Sequence, residues 1–151
     1  MRGLQKGGII TSAKHFPGHG DTGVDSHYDI PVLQHTRNRL DSLELFPYKE
    51  LISKGLQGIM VGHLSIPSLD STASLASTMS KPIVTGLLRD EMKFDGLVFT
   101  DAMDMKGATK MFPEGTANVK ALLAGNDILE TFVDVPAAFN AIKSALEKNE
   151  I

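Results

Sequence analysis

Four short apolar runs, separated by segments with helical spacing, constrain the fold of this chain more than any other feature. They cover residues 8–13, 58–63, 96–100 and 127–130. Short runs that are apolar throughout, such as 58–63, are typical of strands covered on both faces, as in parallel sheets. The resulting order β-α-β-α-β-α-β-α predicts an α/β fold.

The segments between these runs carry helix signals. Thr36 predicts a helix N-cap, and Pro47 predicts a kink or a break in the helical pattern that follows it. A helix is also predicted over residues 81–94, and Thr116 is predicted to cap the helix after the third run. The last helix is predicted over residues 135–148, with an apolar face formed by Val135, Phe139, Ile142 and Leu146.

Two architectures fit this order: a doubly wound open sheet and part of a (β/α)8 barrel. In a barrel, the functional loops follow the carboxyl ends of the strands. Three successive predicted strands end next to a candidate functional residue, at Lys14-His15, at His63 and at Asp101. This placement favours the barrel, and four βα units make half of one.

Composition excludes several classes of function. The chain has 151 residues, enough for one domain, and a formal net charge of −3 with no basic stripe, which argues against a nucleic-acid partner. The absence of cysteine excludes disulfides and thiolate metal sites. No apolar run approaches the ~20 residues that span a membrane. Residues 1–7 resemble the last turn of a helix, which predicts that the full protein extends further towards its N-terminus.

A polar, glycine-rich loop over residues 14–27 follows the first predicted strand. It holds three of the five histidines of the chain, at positions 15, 19 and 27. Asp25 and His27 are two residues apart, so their side chains can point the same way in an extended segment. A carboxylate beside an imidazole fixes its tautomer and raises its basicity, which suits general acid/base catalysis. His19 and Asp21 are instead expected to shape the loop through hydrogen bonds to its backbone.

Asp101 follows the third apolar run, where a carboxylate is held rigidly at a strand end. It is a candidate nucleophile, general base or metal ligand, or a cap of the next turn. An alternative is a metal-dependent hydrolase, because the loop also offers a set of nitrogen and oxygen ligands in His15, His19, Asp21, Asp25 and His27. A non-catalytic carbohydrate-binding piece is a further alternative.

The sequence closely resembles the β-N-acetylglucosaminidases of glycoside hydrolase family 3 over nearly its whole length. The resemblance is carried by three motifs: residues 14–22, residues 25–27 and residues 99–103. It implies a TIM-barrel domain that cleaves terminal β-linked N-acetylglucosamine with retention.

The resemblance also implies the roles of the site residues. Asp101 matches the nucleophile, and Asp25 with His27 matches the acid/base unit. Lys14 and His15 match the pair that binds the sugar. His63 and Met103, which lie near the ends of the second and third strands, complete the expected substrate contacts. No metal and no cofactor are expected.

Residues 1–151 match only strands five to eight of the family barrel, its C-terminal half. We therefore expect the chain to need the missing N-terminal half, or a homo-oligomer, to cover its open sheet edges. The expected substrate is an N-acetylglucosamine-containing oligosaccharide or a muropeptide, in cell-wall or amino-sugar turnover. Phosphorolysis is an alternative, because a neutral imidazole in the place of a second carboxylate avoids repulsion of an anionic acceptor such as phosphate. The compartment, bacterial cytoplasm or cell envelope, is left open.

Overall fold

The computed structural model of the protein describes residues 1–112 and 115–151. Its sheet has four parallel strands in the order β1-β2-β3-β4. This sequential order is that of consecutive strands in a (β/α)8 barrel, whereas a doubly wound sheet reverses its order at a switch point. The predicted α/β fold with four βα units is confirmed. The strands are Ser12–Phe16 (β1), Gly58–Val61 (β2), Leu97–Ala102 (β3) and Ile128–Glu130 (β4).

Helical segments connect and flank these strands. The connection between β2 and β3 contains a 3₁₀ turn, Ser77–Met79, and a π-helix, Pro82–Glu91, in which proline occupies the first turn. The α-helices are Arg2–Lys6 (α1), Arg37–Ser42 (α2), Phe46–Ile52 (α3), Lys106–Thr109 (α4), Thr116–Ala124 (α5) and Val135–Glu147 (α6).

Of the three helix boundaries predicted from single residues, two are confirmed and one is wrong. The Thr36 hydroxyl accepts a hydrogen bond from the Arg39 N–H and caps α2, as predicted. Pro47 stands in the first turn of α3, so the helical pattern is broken into two helices there, also as predicted. The predicted cap at Thr116 is wrong. Gly115 is the N-cap of α5, and Thr116 is already helical.

The first strand begins later than the sequence predicts. Residues 8–13 were expected to form it, but pairing with β2 begins only at Ser12, which lies opposite Gly58. Ile10 therefore precedes the sheet and is 64% exposed. Lys14 and His15 belong to the strand itself and not to the loop after it. Apolar composition alone placed this strand wrongly, because register is set by the partner strand.

The two faces of the sheet have different environments. One face carries Ile59, Val61 and Val98, which pack with Val84 and Leu88 of the π-helix in the main hydrophobic cluster. The opposite face carries alternate residues of the same strands, and there Leu97 and Ile128 are exposed. In a closed barrel this second face lines the interior.

The last helix packs through a different face from the one the sequence indicates. Ala138 and Ala145 are its buried residues. The larger apolar side chains Val135, Phe139 and Leu146 are each more than half exposed. Periodicity identified the apolar face correctly, but α6 packs on the rest of this chain through its small residues.

Among the described residues, no helix is both long enough and apolar enough to cross a membrane.

The two isoleucines Ile59 and Ile10 offer a matched test of this core. Ile59 is fully buried, so Ile59→Ala should lower the free energy of unfolding by about 2–5 kcal/mol. Ile10→Ala removes the same atoms from an exposed position and should change it by less than about 0.5 kcal/mol. Urea unfolding followed by circular dichroism measures both values. Equal losses would contradict the strand boundary described above.

Candidate active site

Asp101 and His15 meet near the carboxyl ends of β3 and β1. The His15 Nε2 atom lies 3.6 Å from Asp101 Oδ2, and both side chains are partly buried. Asp101 Oδ1 accepts a hydrogen bond of 2.9 Å from the Ala102 N–H. One carboxylate oxygen is thus held by the backbone, while the other faces the histidine.

The pKa of His15 shows which charges surround it. It lies below its ordinary value, first because the ring is partly buried, although the Asp101 carboxylate acts in the opposite direction. Lys14, His19 and His27 lower it further. All four residues therefore lie within electrostatic range of the imidazole. With a lowered pKa, His15 is a neutral ring at pH 7.

Asp25 and His27 form the pair that their spacing predicts. Asp25 Oδ1 lies 2.7 Å from His27 Nδ1 and also accepts the His27 backbone N–H at 2.9 Å. The backbone hydrogen bond, followed by the ring contact, holds the pKa of Asp25 below its usual value. A carboxylate only accepts hydrogen bonds, so the ring proton is on Nδ1. The Nε2 atom of this largely exposed ring is left for a ligand.

The loop that carries this pair is fixed to α4, the short helix after Asp101. The Gly107 N–H donates to the Ser26 carbonyl at 3.1 Å. Lys110, just after α4, lies 2.8 Å from both carboxylate oxygens of Asp29. These contacts on either side of His27 connect the Asp25–His27 pair to the segment that follows β3, the strand that carries Asp101.

The first part of the loop is held by side chains, not only by its own backbone. His19 Nδ1 lies 2.7 Å from the Thr22 hydroxyl, and Asp21 Oδ1 lies 2.7 Å from His35 Nε2. The sequence predicted hydrogen bonds from His19 and Asp21 to the loop backbone, whereas both side chains pair with other side chains. The His35 contact is the main reason that the pKa of Asp21 is lowered.

Glu44 is a buried residue beneath this loop that the sequence analysis did not single out. Its Oε1 atom accepts from Arg39 at 2.9 Å. Gly18 has a φ of +120°, and a Cβ there would lie 2.7 Å from the Glu44 Cβ. Only glycine fits this turn. With Lys14 and His15, these residues border a pocket of about 470 Å³.

His63 lies under the site and not at its open surface. Its side chain is 0% exposed, and both ring nitrogens are engaged. Nδ1 is 2.9 Å from the Thr78 hydroxyl, and Nε2 is 3.0 Å from the Ala102 carbonyl oxygen. The expectation that His63 touches the sugar directly does not fit this placement, because the ring is surrounded by protein.

Met103 is also buried, two residues beyond Asp101. Its backbone N–H donates to the carbonyls of Glu130 and Thr131 at 2.8 and 3.1 Å. With Phe112 and Phe132, it lines a pocket of about 340 Å³ between α4, α5 and the segment after β4. Met103 therefore lines a different pocket from the one that Lys14 and His15 border.

Among residues 1–112 and 115–151, no group of three or more His, Asp or Glu side chains is arranged to hold a metal ion. The five loop residues considered as a ligand set are instead paired individually, as in Asp21–His35 and Asp25–His27.

Comparisons with known proteins agree with the motifs. The family model of the glycosyl hydrolase family 3 N-terminal domain matches residues 1–151. A curated beta-hexosaminidase A from Pseudoalteromonas piscicida is 37% identical over an alignment of 138 residues that covers 85% of this chain. A curated beta-hexosaminidase from Idiomarina loihiensis is 33% identical over 150 residues, or 99% of this chain.

Solved structures show the same similarity. A glycoside hydrolase family 3 beta-N-acetylglucosaminidase from Paenibacillus sp. str. FPU-7 superposes with a TM-score of 0.94 and 40% sequence identity. The match covers 99% of this chain but 29% of that one. The chain likewise spans 23% of the Pseudoalteromonas relative and 44% of the Idiomarina relative.

The buried environment of His63 has a consequence for pH dependence. Burial lowers the pKa of His63 below its ordinary value of 6.5. Between the folded pKa and 6.5 the unfolded state binds a proton that the folded state does not. The contribution of His63 to stability is therefore complete above pH 6.5 and declines as the pH falls below it.

We expect the His63 ring resonances to show no titration near pH 6.5 by nuclear magnetic resonance. In urea unfolding, the wild-type protein should lose more stability between pH 7.5 and 5.5 than His63→Gln, which has no group to titrate. A ring that titrates near 6.5, or identical pH profiles for the two proteins, would contradict this assignment.

Proposed function

The chain belongs to glycosyl hydrolase family 3, and we propose that it forms the catalytic half of a retaining glycosidase that releases terminal β-linked N-acetylglucosamine. Residues 1–151 are assigned to strands five to eight of the barrel with their helices. The observation that carries the proposal is that Asp101 lies at a strand end beside a neutral His15, with an exposed Asp25–His27 pair on a loop fixed to the next helix. The names of the similar beta-hexosaminidases and of the beta-N-acetylglucosaminidase support the substrate.

Asp101 is proposed as the nucleophile. Retention requires a covalent glycosyl-enzyme, formed by attack of a carboxylate on the anomeric carbon. The Ala102 N–H holds Oδ1, so Oδ2, which faces His15, is the oxygen positioned to attack. The C–O bond to the leaving group breaks as the bond to Oδ2 forms.

His27 is proposed as the general acid and base. In the first step the ring carries a proton on each nitrogen and gives the Nε2 proton to the departing oxygen. In the second step Nε2 removes a proton from the water that attacks the anomeric carbon and breaks its bond to Asp101. Asp25 holds the Nδ1 proton and stabilises the cationic ring. The two steps return both Asp101 and His27 to their starting states.

Lys14, His15 and Met103 are proposed to bind the sugar. The neutral His15 ring and the Lys14 ammonium supply hydrogen-bond donors for hydroxyl oxygens. Met103 is almost fully buried and would reach the sugar from the pocket that it lines with Phe112 and Phe132. His63 was also expected to contact the sugar, but its ring is buried and both its nitrogens are hydrogen-bonded to protein, which favours an indirect role.

A complementary half-barrel is proposed to complete the site. Within the described part of the chain, β1 pairs only with β2, and β4 pairs only with β3. Two strand edges are therefore open, next to a sheet face with exposed Leu97 and Ile128. The first four units of the barrel, in the same or another polypeptide, or else a second copy of this chain, would pair these edges. The proposed substrate is an N-acetylglucosamine-containing oligosaccharide or a muropeptide in cell-wall or amino-sugar turnover.

Covalent labelling tests the assignment of Asp101 as the nucleophile, in a protein that contains the complete barrel. A slow fluorinated N-acetylglucosamine donor should add mass to the peptide that carries Asp101. Asp101→Asn should lower kcat at least about 10³-fold, because the attacking oxygen is lost. Asp104→Asn, which changes an exposed carboxylate three residues away, is the matched control and should stay active. Labelling of another residue, or a product of inverted configuration, would refute the assignment.

Leaving-group dependence tests the acid/base pair. His27→Ala should slow hydrolysis of alkyl N-acetylglucosaminides by about 10²–10⁴-fold, because these leaving groups need a proton. The formation of the glycosyl-enzyme from 4-nitrophenyl N-acetylglucosaminide, measured as a burst, should be affected much less, since nitrophenolate departs unprotonated. His19→Ala changes a neighbouring loop histidine and should show no such selectivity. An equal loss on both substrates would assign His27 to sugar binding instead.

A further inference from the structure

We propose that His63 and Gly107 are positioning residues that keep the Asp101 nucleophile and the Asp25–His27 pair in register with each other. This inference rests on the proposed function, since it concerns the geometry of the same site. It is carried by two sets of contacts: those of the His63 ring with the end of β3, and those of Gly107 with His63 and with the loop.

The contacts of the His63 ring fix its tautomer. A carbonyl oxygen only accepts, so the 3.0 Å contact with Ala102 requires a proton on Nε2. Nδ1 is then an acceptor, and the Thr78 hydroxyl donates to it at 2.9 Å. The neutral ring is fully satisfied by these two bonds. One of them ends on the carbonyl of the residue after Asp101.

The acceptor side of the ring is anchored in the core. Thr78 belongs to the 3₁₀ turn Ser77–Met79, all of which is buried. The Asn126 side-chain amide donates to the Thr78 carbonyl at 2.8 Å, and the Ser77 hydroxyl donates to the Leu64 carbonyl at 2.6 Å. His63 therefore joins a buried turn to the end of β3 through two hydrogen bonds.

Gly107 connects the same histidine to the acid/base loop. Its N–H donates to the Ser26 carbonyl at 3.1 Å. A Cβ at this position would lie 2.9 Å from the His63 Cβ and 3.0 Å from the Ser26 oxygen. The first distance is shorter than real Cβ contacts, and the second is tight enough that a neighbour would have to shift. The glycine thus allows the first turn of α4 to lie in close contact with both Ser26 and His63.

The two catalytic groups consequently share one support. The carbonyl next to Asp101 is hydrogen-bonded to the His63 ring, and the loop beside His27 is seated on Gly107, which packs on the same residue. Retaining cleavage requires the nucleophile and the proton donor to stay on opposite sides of the anomeric carbon at a fixed separation. Productive geometry tolerates displacements of only about 0.5 Å.

The experiment compares variants in the active assembly, that is, this chain with the segment that completes its barrel. His63→Leu removes the N–H that binds the Ala102 carbonyl, and His63→Gln keeps an amide N–H that can reach it. His63→Leu should lower kcat by about 10–10²-fold on both nitrophenyl and alkyl N-acetylglucosaminides, with KM within about two-fold. His63→Gln should recover most of that loss.

Gly107→Ala should act on both groups, because its added Cβ would meet the His63 Cβ at 2.9 Å and the Ser26 carbonyl oxygen at 3.0 Å. Its kcat should fall by about ten-fold or more on alkyl substrates, which need both groups, and less in the nitrophenolate burst, which does not need the proton donor. Gly86→Ala, inside the π-helix, is the matched control. Its added Cβ would meet only the Lys81 carbonyl oxygen, at 3.9 Å, and activity should be unchanged.

A folded His63→Leu protein with wild-type kcat on both substrates would overturn the proposal. Equal losses for His63→Leu and His63→Gln would also overturn it, since the N–H would then have no role. If His63→Leu does not fold, Thr78→Val, which removes only the hydroxyl donor to Nδ1, takes its place. Wild-type kinetics for both Thr78→Val and Gly107→Ala would refute positioning. The Asp101 and His27 variants decide the proposed function separately, so a failure here leaves it standing.

Discussion

The parallel pairing of β2 with β3 is the constraint on which the rest of the site depends. It runs without a bulge, with Gly58 opposite Leu97 and Val61 opposite Thr100. Both other strand pairs contain a register shift before their ends. The unbroken register brings the residues that follow β2 level with the end of β3. This is why His63 can reach the Ala102 carbonyl and why Asp101 sits over a buried imidazole.

The three histidines of the site, His63, His15 and His27, differ in how deeply they are buried. Of the histidines discussed, His63 is fully enclosed and uncharged, and its two hydrogen bonds satisfy it completely. His15 is partly buried and remains neutral because desolvation outweighs the Asp101 carboxylate. His27 is largely exposed beside Asp25. The gradient places a rigid neutral ring below Asp101 and an exposed ring, paired with Asp25, at the surface.

The sequence predicted several features that depend on local chemistry, although the cap expected at Thr116 was wrong. The Thr36 cap, the break at Pro47 and the Asp25–His27 pair each involve residues a few positions apart, so their spacing was sufficient. The Thr78 and Gly107 contacts join residues far apart in sequence, and no local pattern identifies them. The position of Ile10 was misjudged for a related reason, and the apolar face of α6, though identified correctly, is uncovered in this chain. Periodicity shows which side of a segment is apolar, but tertiary structure decides what covers it.

The uncovered surfaces constrain what completes the molecule. The sheet leaves an edge at β1 and another at β4, while its open face exposes Leu97 and Ile128 and the helical layer exposes the apolar side of α6. A helix laid on the open face would cover the apolar residues and leave both strand edges unpaired. A second copy in the same layer, or four further strands with their helices, would pair both edges and close the interior. Of the arrangements compared, added strands alone would pair the edges of β1 and β4 and also cover Leu97 and Ile128, whereas the apolar side of α6 would need a neighbour in the helical layer.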